Sequence, residues 1–399
     1  MRIKMKIEKD RCFNRVGVYM DSLTAKEKVA GCSIKIMLED KAVYEHYSGY
    51  ANKEKQIPIE ADTLYRIYSM TKPVTVTAAL QLYEQGKFLF HDPVSEYLPE
   101  FKEMMVCEKD EQGEYHVRRA NKEITVRDLF CMTSGLTYDG VSCPSEVKAG
   151  ELLQRLYQEF DKKSCPTRSF VRQIAELPLA FEPGTHWRYG LSHDVLGGLV
   201  EVLSGESFGD YVKNHIFAPL HMDDTAFHME EKKLARLASI YTHKDGKMHI
   251  QPRSDIFQKN YSMKSQCESG GAGLVSSLSD YMKFAHTLTR GGTSQEGERI
   301  LGRHTIELMR KDHLGTRRSD MNWKVLEGYS YGLGVRTLVD LAEGGSNGAI
   351  GEFGWSGMAG TYVAMDPENQ ITIVYMQQLV PSMEEEINPR LRNIIYGCL

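Results

Sequence analysis

Hydrophobic and polar residues alternate with a period of two near the start of the chain, from Ser33 to Leu38 and from Ala42 to Tyr47. A polar turn at residues 39–41 separates the two runs. This pattern is typical of an antiparallel β-hairpin that buries one face. A short helix at about residues 14–30 is predicted to pack on that hairpin.

The same alternation returns near the end of the chain. Strands are predicted at Tyr331 to Thr337, Gly360 to Met365 and Ile371 to Gln377. Residues 366–369 have the composition of a turn between the last two strands. An amphipathic helix from about Ser382 to Cys398 is predicted to follow.

Between these two regions, apolar residues recur at three- and four-residue spacing, which predicts helices. The strongly charged residues 102–122 are interpreted instead as an exposed loop. The predicted helices cover residues 69–86, 125–132, 149–178, 192–204 and 279–290.

Strands at both chain ends with helices between them predict the fold class. We expect an α/β (α+β) protein whose antiparallel sheet is built from both chain ends and flanked by helices. A mainly helical region would be inserted into it. The sheet domain is predicted at residues 1–64 and 260–399, and the helical region at residues 65–259.

The composition is that of a globular protein and limits its partners. Of 399 residues, 41% are hydrophobic and 26% are charged, and the formal net charge is -5. The chain lacks the basic excess that would meet nucleic-acid phosphates, and it lacks the run of about 18 apolar residues that would span a membrane. The N-terminus has no apolar signal-peptide core, so we expect a cytoplasmic protein acting on a small molecule. The oligomeric state stays open.

Cysteine and histidine spacing gives no sign of a metal site. The eight cysteines are scattered without a C-x-x-C pair, so we expect reduced thiols that are mostly buried. The thirteen histidines include no H-E-x-x-H or similar pair. Neither a metal nor another cofactor is expected.

A serine stands three residues before a lysine, where an extended run gives way to helix-forming residues. If the helix begins at Ser69, its free amides and the positive end of its dipole point at whatever the hydroxyl attacks. Positions three residues apart share a helix face, so the Lys72 amine can activate the Ser69 hydroxyl. Taken alone, S-x-x-K can equally be a serine cap followed by a solvated lysine.

Two later stretches could complete such a site. Tyr189 is predicted on a loop before a helix, and a phenol serves as a base only if a cation such as Lys72 favours its phenolate. Gly357 would let a substrate approach the backbone, and the amide of Met358 could pair with that of Ser69 as an oxyanion hole. Singly, the tyrosine could be a packing residue and the glycine-rich stretch a simple turn.

Together, the stretches around Ser69, Tyr189 and residues 354–360 resemble the serine β-lactamase and penicillin-binding-protein superfamily. The pattern is most similar to class C β-lactamases, family VIII carboxylesterases and related acyltransferases. The resemblance runs from Gly49 to the last predicted strand and implies a β-lactamase/transpeptidase-like fold. Connecting segments resemble the family too, namely ITVRDLFCMTSGL, PLHMDDTAF, GGAGLVSSLSDYMKFA and YGLGV.

The resemblance also implies roles for individual residues. Ser69 would be the acyl-forming nucleophile, and Lys72 its partner in proton transfer. Tyr189 matches the tyrosine of the family's Y-x-N element, which acts as base and then as acid. Trp355-Ser356-Gly357 occupies the place of the K-T-G element, and no cofactor is implied.

Two departures from the β-lactamase pattern bear on the substrate. Leu191 replaces the asparagine of Y-x-N, and Trp355 replaces the lysine of K-T-G. An anionic substrate would lose a charge-assisted hydrogen bond of about 1.5 to 3 kcal/mol. We therefore expect a carboxylesterase acting on small or medium neutral esters.

Other interpretations remain open. Within enzymes they are a β-lactamase, a D-amino-acid or DD-peptidase-like amide hydrolase, and an acyltransferase. A different class is a non-catalytic sensor or scaffold. Residues 344–348 also match G-x-S-x-G, but their acidic flanks and the lack of a histidine after His313 disfavour Ser346 as a nucleophile.

Overall fold

The structure is a computed structural model that describes residues 2–159, 165–251, 261–262 and 267–399. None of the helices in these ranges is long and apolar enough to cross a membrane. The helices are α1 (Arg2–Ala25), α2 (Thr71–Glu84), α3 (Val126–Cys131), α4 (Pro144–Glu159), α5 (Thr167–Ala175), α6 (Ser192–Ser204), α7 (Phe208–Val212), α8 (Glu231–Leu234), α9 (Leu278–Thr289), α10 (Arg303–Met309), α11 (Leu341–Gly344) and α12 (Glu384–Tyr396).

The strands lie mainly towards the two ends of the chain. They are β1 (Gly31–Leu38), β2 (Lys41–Asn52), β3 (Ile57–Pro58), β4 (Leu64–Arg66), β5 (Met105–Lys109), β6 (Tyr115–Arg119), β7 (Tyr241–Lys244), β8 (Lys247–Ile250), β9 (Val275–Ser277), β10 (Tyr329–Tyr331), β11 (Arg336–Leu338), β12 (Phe353–Ser356), β13 (Tyr362–Asp366) and β14 (Ile371–Gln377).

One large antiparallel sheet joins strands from both chain ends, in the order β10-β11-β12-β13-β14-β1-β2-β3. Strand β1 pairs with β2 on one side and with β14 on the other. This arrangement confirms the predicted fold class. The predicted domain bounds stay a prediction, and the boundary at residues 259 and 260 lies outside the described residues.

Helices cover both faces of the sheet, which is why β14 is buried along its whole length. Ile373 and Tyr375 pack into a core with α1 and α12, whereas Val374 and Met376 face the larger core that contains α9. The alternation of faces follows the strand period of two. Helix α2 is buried around most of its circumference and packs against α6, so its N-terminal end has a fixed place beside the sheet.

The charged stretch 102–122 forms the β5–β6 hairpin, so its interpretation as an exposed loop is wrong. Its charges pair across the two strands, as between Arg118 Nε and Glu108 Oε2 at 2.6 Å. The strand predicted at Tyr331 to Thr337 is two short strands, β10 and β11, since the chain reverses at Gly334 with a φ of 73°.

The expectation of eight reduced thiols is wrong for one pair. Cys12 and Cys398 form a disulfide, and their Cα atoms are 5.5 Å apart because α1 packs against α12. The other six cysteines are free and buried, as expected.

Candidate active site

Ser69 lies in a single 3₁₀ turn, Tyr68–Met70, immediately before α2. The predicted helix start is therefore displaced by two residues. Tyr68 has a φ of 44°, a left-handed conformation that is strained for a bulky side chain. The amide of Met70 bonds to the carbonyl of Ile67 and holds this turn, so that Ser69 lines a cavity.

The Lys72 side chain is fully buried beside Ser69. Its Nζ lies 3.2 Å from Ser69 Oγ, 3.1 Å from Tyr138 Oη and 2.8 Å from the carbonyl oxygen of Gly271. Burial lowers the pKa of Lys72 to about 7, and the nearby Asp194 carboxylate opposes that shift. Near neutral pH, a substantial fraction of the amine is therefore uncharged and able to accept a proton.

Tyr189 lies next to Lys72 and Trp355. Lys72 Nζ lies 4.4 Å from the centre of the Tyr189 ring, and Trp355 Nε1 donates a hydrogen bond of 3.0 Å to Tyr189 Oη. Burial raises the pKa of Tyr189 well above its usual value, while hydrogen bonds with Ser69 and Trp355 oppose the rise. The phenol is thus protonated at neutral pH. The sequence predicted that Lys72 would favour a phenolate at Tyr189. In the structure the amine lies over the face of the ring instead.

The glycine-rich turn after β12 comes close to Ser69. The Gly357 amide donates to the Thr361 carbonyl at 2.7 Å, and Thr361 Oγ1 donates to the carbonyl of Ile67. A Cβ added to Gly357 would lie only 2.4 Å from that Ile67 oxygen. This close backbone approach brings Met358 to the lining of the cavity that contains Ser69, and the oxyanion hole that the sequence predicted there stays a prediction.

The cavity around these groups has a volume of about 500 Å³. Its lining includes every residue that the sequence assigned to the site except Lys72, which lies beneath it. Leu191 is 1% exposed and sits just before α6. The other lining residues include apolar Leu153, Leu156 and Phe170 from α4 and α5, and charged Arg336 and Glu384.

Sequence reasoning missed three of the residues found here, namely Tyr138, Asp194 and Glu384. Tyr138 follows a turn, and nothing in the sequence around it indicates its contact with Lys72. Asp194 was visible only as an acidic residue in the first turn of an otherwise apolar helix. Glu384 belongs to a run of three glutamates that reads as an ordinary helix start.

Asp194 is buried and binds the loop whose Gly271 carbonyl contacts Lys72. Its Oδ1 accepts hydrogen bonds from Ser269 Oγ at 2.5 Å and from the Gly271 amide at 3.1 Å. The carbonyl of the same Gly271 faces Lys72 Nζ. Asp194 therefore fixes one of the three oxygen atoms that surround the amine.

Ser346, the alternative nucleophile, lies elsewhere. Its Oγ accepts a hydrogen bond of 3.1 Å from Arg392 Nε, and it does not line the cavity that contains Ser69. In the part of the chain that the structure describes, no three His, Cys, Asp or Glu side chains are grouped so as to hold a metal ion.

Comparison with known proteins agrees with this architecture. The family model described as Beta-lactamase matches residues 18–396. Protein Rv1367c of Mycobacterium tuberculosis is 29% identical over 89% of this chain and 87% of its own, and Esterase EstB of Burkholderia gladioli is 24% identical over 96% and 95%. The solved structure of EstCE1, titled a hydrolase with promiscuous acyltransferase activity, superposes with a TM-score of 0.81 and 24% identity, covering 97% of this chain and 99% of that one.

Proposed function

The chain belongs to the beta-lactamase family, and from that premise we propose that it is a serine hydrolase, a carboxylesterase that forms an acyl-enzyme on Ser69. The observation that carries the proposal is the buried Lys72 amine, 3.2 Å from Ser69 Oγ and with a pKa of about 7. A serine hydroxyl becomes a useful nucleophile when such a base accepts its proton. Membership of a family with esterase relatives supports hydrolysis as the reaction class.

In the first step, Ser69 Oγ attacks the ester carbonyl carbon and its proton passes to the neutral Lys72 amine. The carbonyl oxygen becomes an oxyanion, which the amides of Ser69 and Met358 stabilise. The bond to the alcohol oxygen then breaks. Tyr189 Oη donates a proton to the departing oxygen and regains one from Lys72, which leaves an acyl group on Ser69.

In the second step, water replaces the alcohol and the same groups work in reverse. Tyr189 and Lys72 remove a proton from the attacking water, and Ser69 leaves with its proton restored. The raised pKa of Tyr189 suits this task because a protonated phenol can donate, while the lysine acts as the resting base.

Neutral esters suit the cavity better than anionic substrates. Trp355 contributes an uncharged N–H donor at the place where the family's lysine would carry a positive charge. Leu191 adds apolar surface in place of an amide, and the α4 and α5 wall is apolar. A β-lactam or peptide carboxylate would find fewer partners here.

Acyl transfer is the second candidate. The cavity of about 500 Å³ is large enough for both an acyl group and an acceptor alcohol, and EstCE1 is titled a hydrolase with promiscuous acyltransferase activity. An acceptor alcohol would take the place of water in the second step.

The test is labelling and turnover by the Ser69→Ala variant. The intact protein should react with a fluorophosphonate probe and hydrolyse p-nitrophenyl butyrate, and Ser69→Ala should do neither while melting at a similar temperature. Ser346→Ala is the matched control and should retain both activities. Undiminished turnover by Ser69→Ala, or failure of the intact protein to label, would overturn the assignment.

A further inference from the structure

A carboxylate lines the catalytic cavity close to the proposed general acid, and it has no counterpart in the assigned machinery. We propose that Glu384 makes this end of the cavity a subsite for a cationic leaving group, an alcohol or amine that bears an ammonium. The inference rests on the proposed function, since it names the class of ester that the same site prefers.

The position of Tyr189 fixes which part of the substrate lies there. A departing alcohol must come within hydrogen-bond reach of Tyr189 Oη to receive its proton. That oxygen is bonded to Trp355 Nε1, and Ser356, the next residue of β12, lines the same cavity. Glu384 lines the cavity next to Ser356, whose side chain opposes the rise in the pKa of Glu384. Glu384 is also close enough to Tyr189 for its charge to raise the pKa of that phenol, so a leaving group at Tyr189 Oη would lie on the side of the cavity that holds the carboxylate.

Arg336 also lines this end, but its guanidinium is buried and contacts other protein groups. The side chain is 4% exposed, its Nη2 donates to the Val363 carbonyl at 3.1 Å, and its guanidinium faces the rings of Tyr329 and Tyr362 at 5.3 and 4.9 Å. Glu384 is only partly buried and stands at the N-terminal end of α12. Of the two charged side chains, the carboxylate is the more exposed to a ligand in the cavity.

Aromatic rings complete the environment that an ammonium favours. Trp323 stands edge-on to Tyr189 with ring centres 5.1 Å apart, and Trp355 stacks on Tyr189 at 5.4 Å. All three rings line the cavity together with Glu384. Ring faces and a carboxylate attract an alkylammonium, whereas a carboxylate-bearing leaving group is repelled.

A bound ammonium should also keep the Glu384 carboxylate ionised. Burial raises the pKa of Glu384, and the Ser356 hydrogen bond and the charge of Arg336 oppose that rise. A bound ammonium acts in the same direction as these two groups, because an adjacent positive charge favours the carboxylate form. Binding and ionisation therefore support each other.

The experiment compares three butyryl thioesters that differ only in the leaving thiol. S-butyrylthiocholine carries a cation, S-(3,3-dimethylbutyl) thiobutyrate is its neutral isostere, and S-butyryl-3-mercaptopropanoate carries an anion. We expect kcat/KM to fall in that order, with the cation favoured over the anion by at least about tenfold, the size of one charge-assisted contact. Thiol release is followed with a chromogenic disulfide.

Two variants on the same helix turn separate the subsite from a general charge effect. Glu384→Gln should bring the three kcat/KM values to within about threefold of one another, since the charge-assisted contact is gone. Glu385→Gln removes the same charge from an exposed neighbour and should leave the order unchanged. Calorimetry on the Ser69→Ala variant adds a readout without turnover, in which choline should bind more tightly than 3,3-dimethylbutan-1-ol.

The outcomes are distinct. Turnover of all three thioesters without the charge order, or an order that Glu384→Gln leaves intact, would overturn the subsite while sparing the esterase. No turnover of any ester, together with choline binding that depends on Glu384, would overturn the esterase while sparing the subsite. Equal binding of the two alcohols would contradict the subsite directly.

Discussion

The indole Nε1 of Trp355 donates a hydrogen bond to the phenol oxygen of Tyr189 across 3.0 Å. The two rings also stack, with an interplanar angle of 28°. A lysine in the place of Trp355 would bring a charge to this oxygen, whereas the indole brings a donor that stays neutral and a flat surface that fixes the ring. The indole therefore orients the ring of Tyr189, and in our proposal it also stands in place of a charge that would recognise a carboxylate.

Trp355→Phe tests this relationship because it keeps a ring and removes the donor. We expect kcat to fall by up to about tenfold with little change in KM, as suits the loss of one hydrogen bond of about 1 kcal/mol. Steady-state kinetics with p-nitrophenyl butyrate measures both constants. Trp323→Phe is the comparison, and as a wall residue it should change KM more than kcat. An unaltered kcat in Trp355→Phe would argue against a role for the indole N–H.

Tyr189→Phe should slow both acylation and deacylation. General acid–base catalysis typically contributes about 10²- to 10⁴-fold, and the proposed mechanism assigns the phenol as the proton donor to the leaving oxygen. Stopped-flow measurement of p-nitrophenol release separates the burst from the steady rate. A normal burst rate would show that the leaving group receives its proton elsewhere.

The pH profile should have an acid limb near pH 7. The Lys72 amine accepts a proton only when neutral, so kcat/KM rises as pH increases through its pKa of about 7. The buried His193 does not compete, because burial and the charge of Lys72 lower its pKa to about 3. Measurement of kcat/KM from pH 5 to 9 locates the limb.

Asp194→Asn should move that acid limb to lower pH. The carboxylate raises the pKa of Lys72 against the stronger effect of burial, and its removal lets burial act alone. Asp139→Asn removes a carboxylate from the exposed rim of the cavity and should leave the limb in place. A purely structural role for Asp194 would lower kcat without shifting the limb.

Gly357→Ala should damage the oxyanion site. The added Cβ would lie 2.2 Å from Thr361 Oγ1 and 2.4 Å from the Ile67 carbonyl oxygen, so the turn that carries Met358 must shift. Loss of one oxyanion donor costs about 10²- to 10³-fold in kcat. Fluorophosphonate labelling that slows in parallel, at an unchanged melting temperature, would locate the defect in this turn. Wild-type kcat would remove the Met358 amide from the mechanism.

The sequence predicted those parts of the fold and site that short-range patterns encode. The β1–β2 hairpin, the short helix that follows Thr125 and the helix that ends at Gly205 follow from neighbouring residues, and the structure has all three. The close approach of Lys72 to Ser69 likewise follows from their spacing.

What the sequence did not predict depends on contacts between distant residues. Asp194 reaches Gly271, and Cys12 reaches Cys398, only after the fold has formed. The charged stretch before Ile124 looked like a loop because most of its side chains are charged and exposed. The hairpin is held by the buried Val106 and by backbone hydrogen bonds of β5 to Leu179, which is distant in sequence. The displacement of the helix start arose from a strained turn at Tyr68, which no propensity favours.

The position of β1 between β2 and β14 also governs when the large sheet can be completed during synthesis. Strand β1 is translated well before β14, so one of its edges stays unpaired until Ile371 to Gln377 have been translated. At about 5–20 residues per second that wait is on the order of tens of seconds, during which the nascent chain offers an open strand edge to chaperones or to its neighbours. Met358 is translated shortly before β14. Under the proposed mechanism, the nucleophile is therefore made long before the amide that would stabilise the transition state, and we expect the unfinished chain to lack turnover.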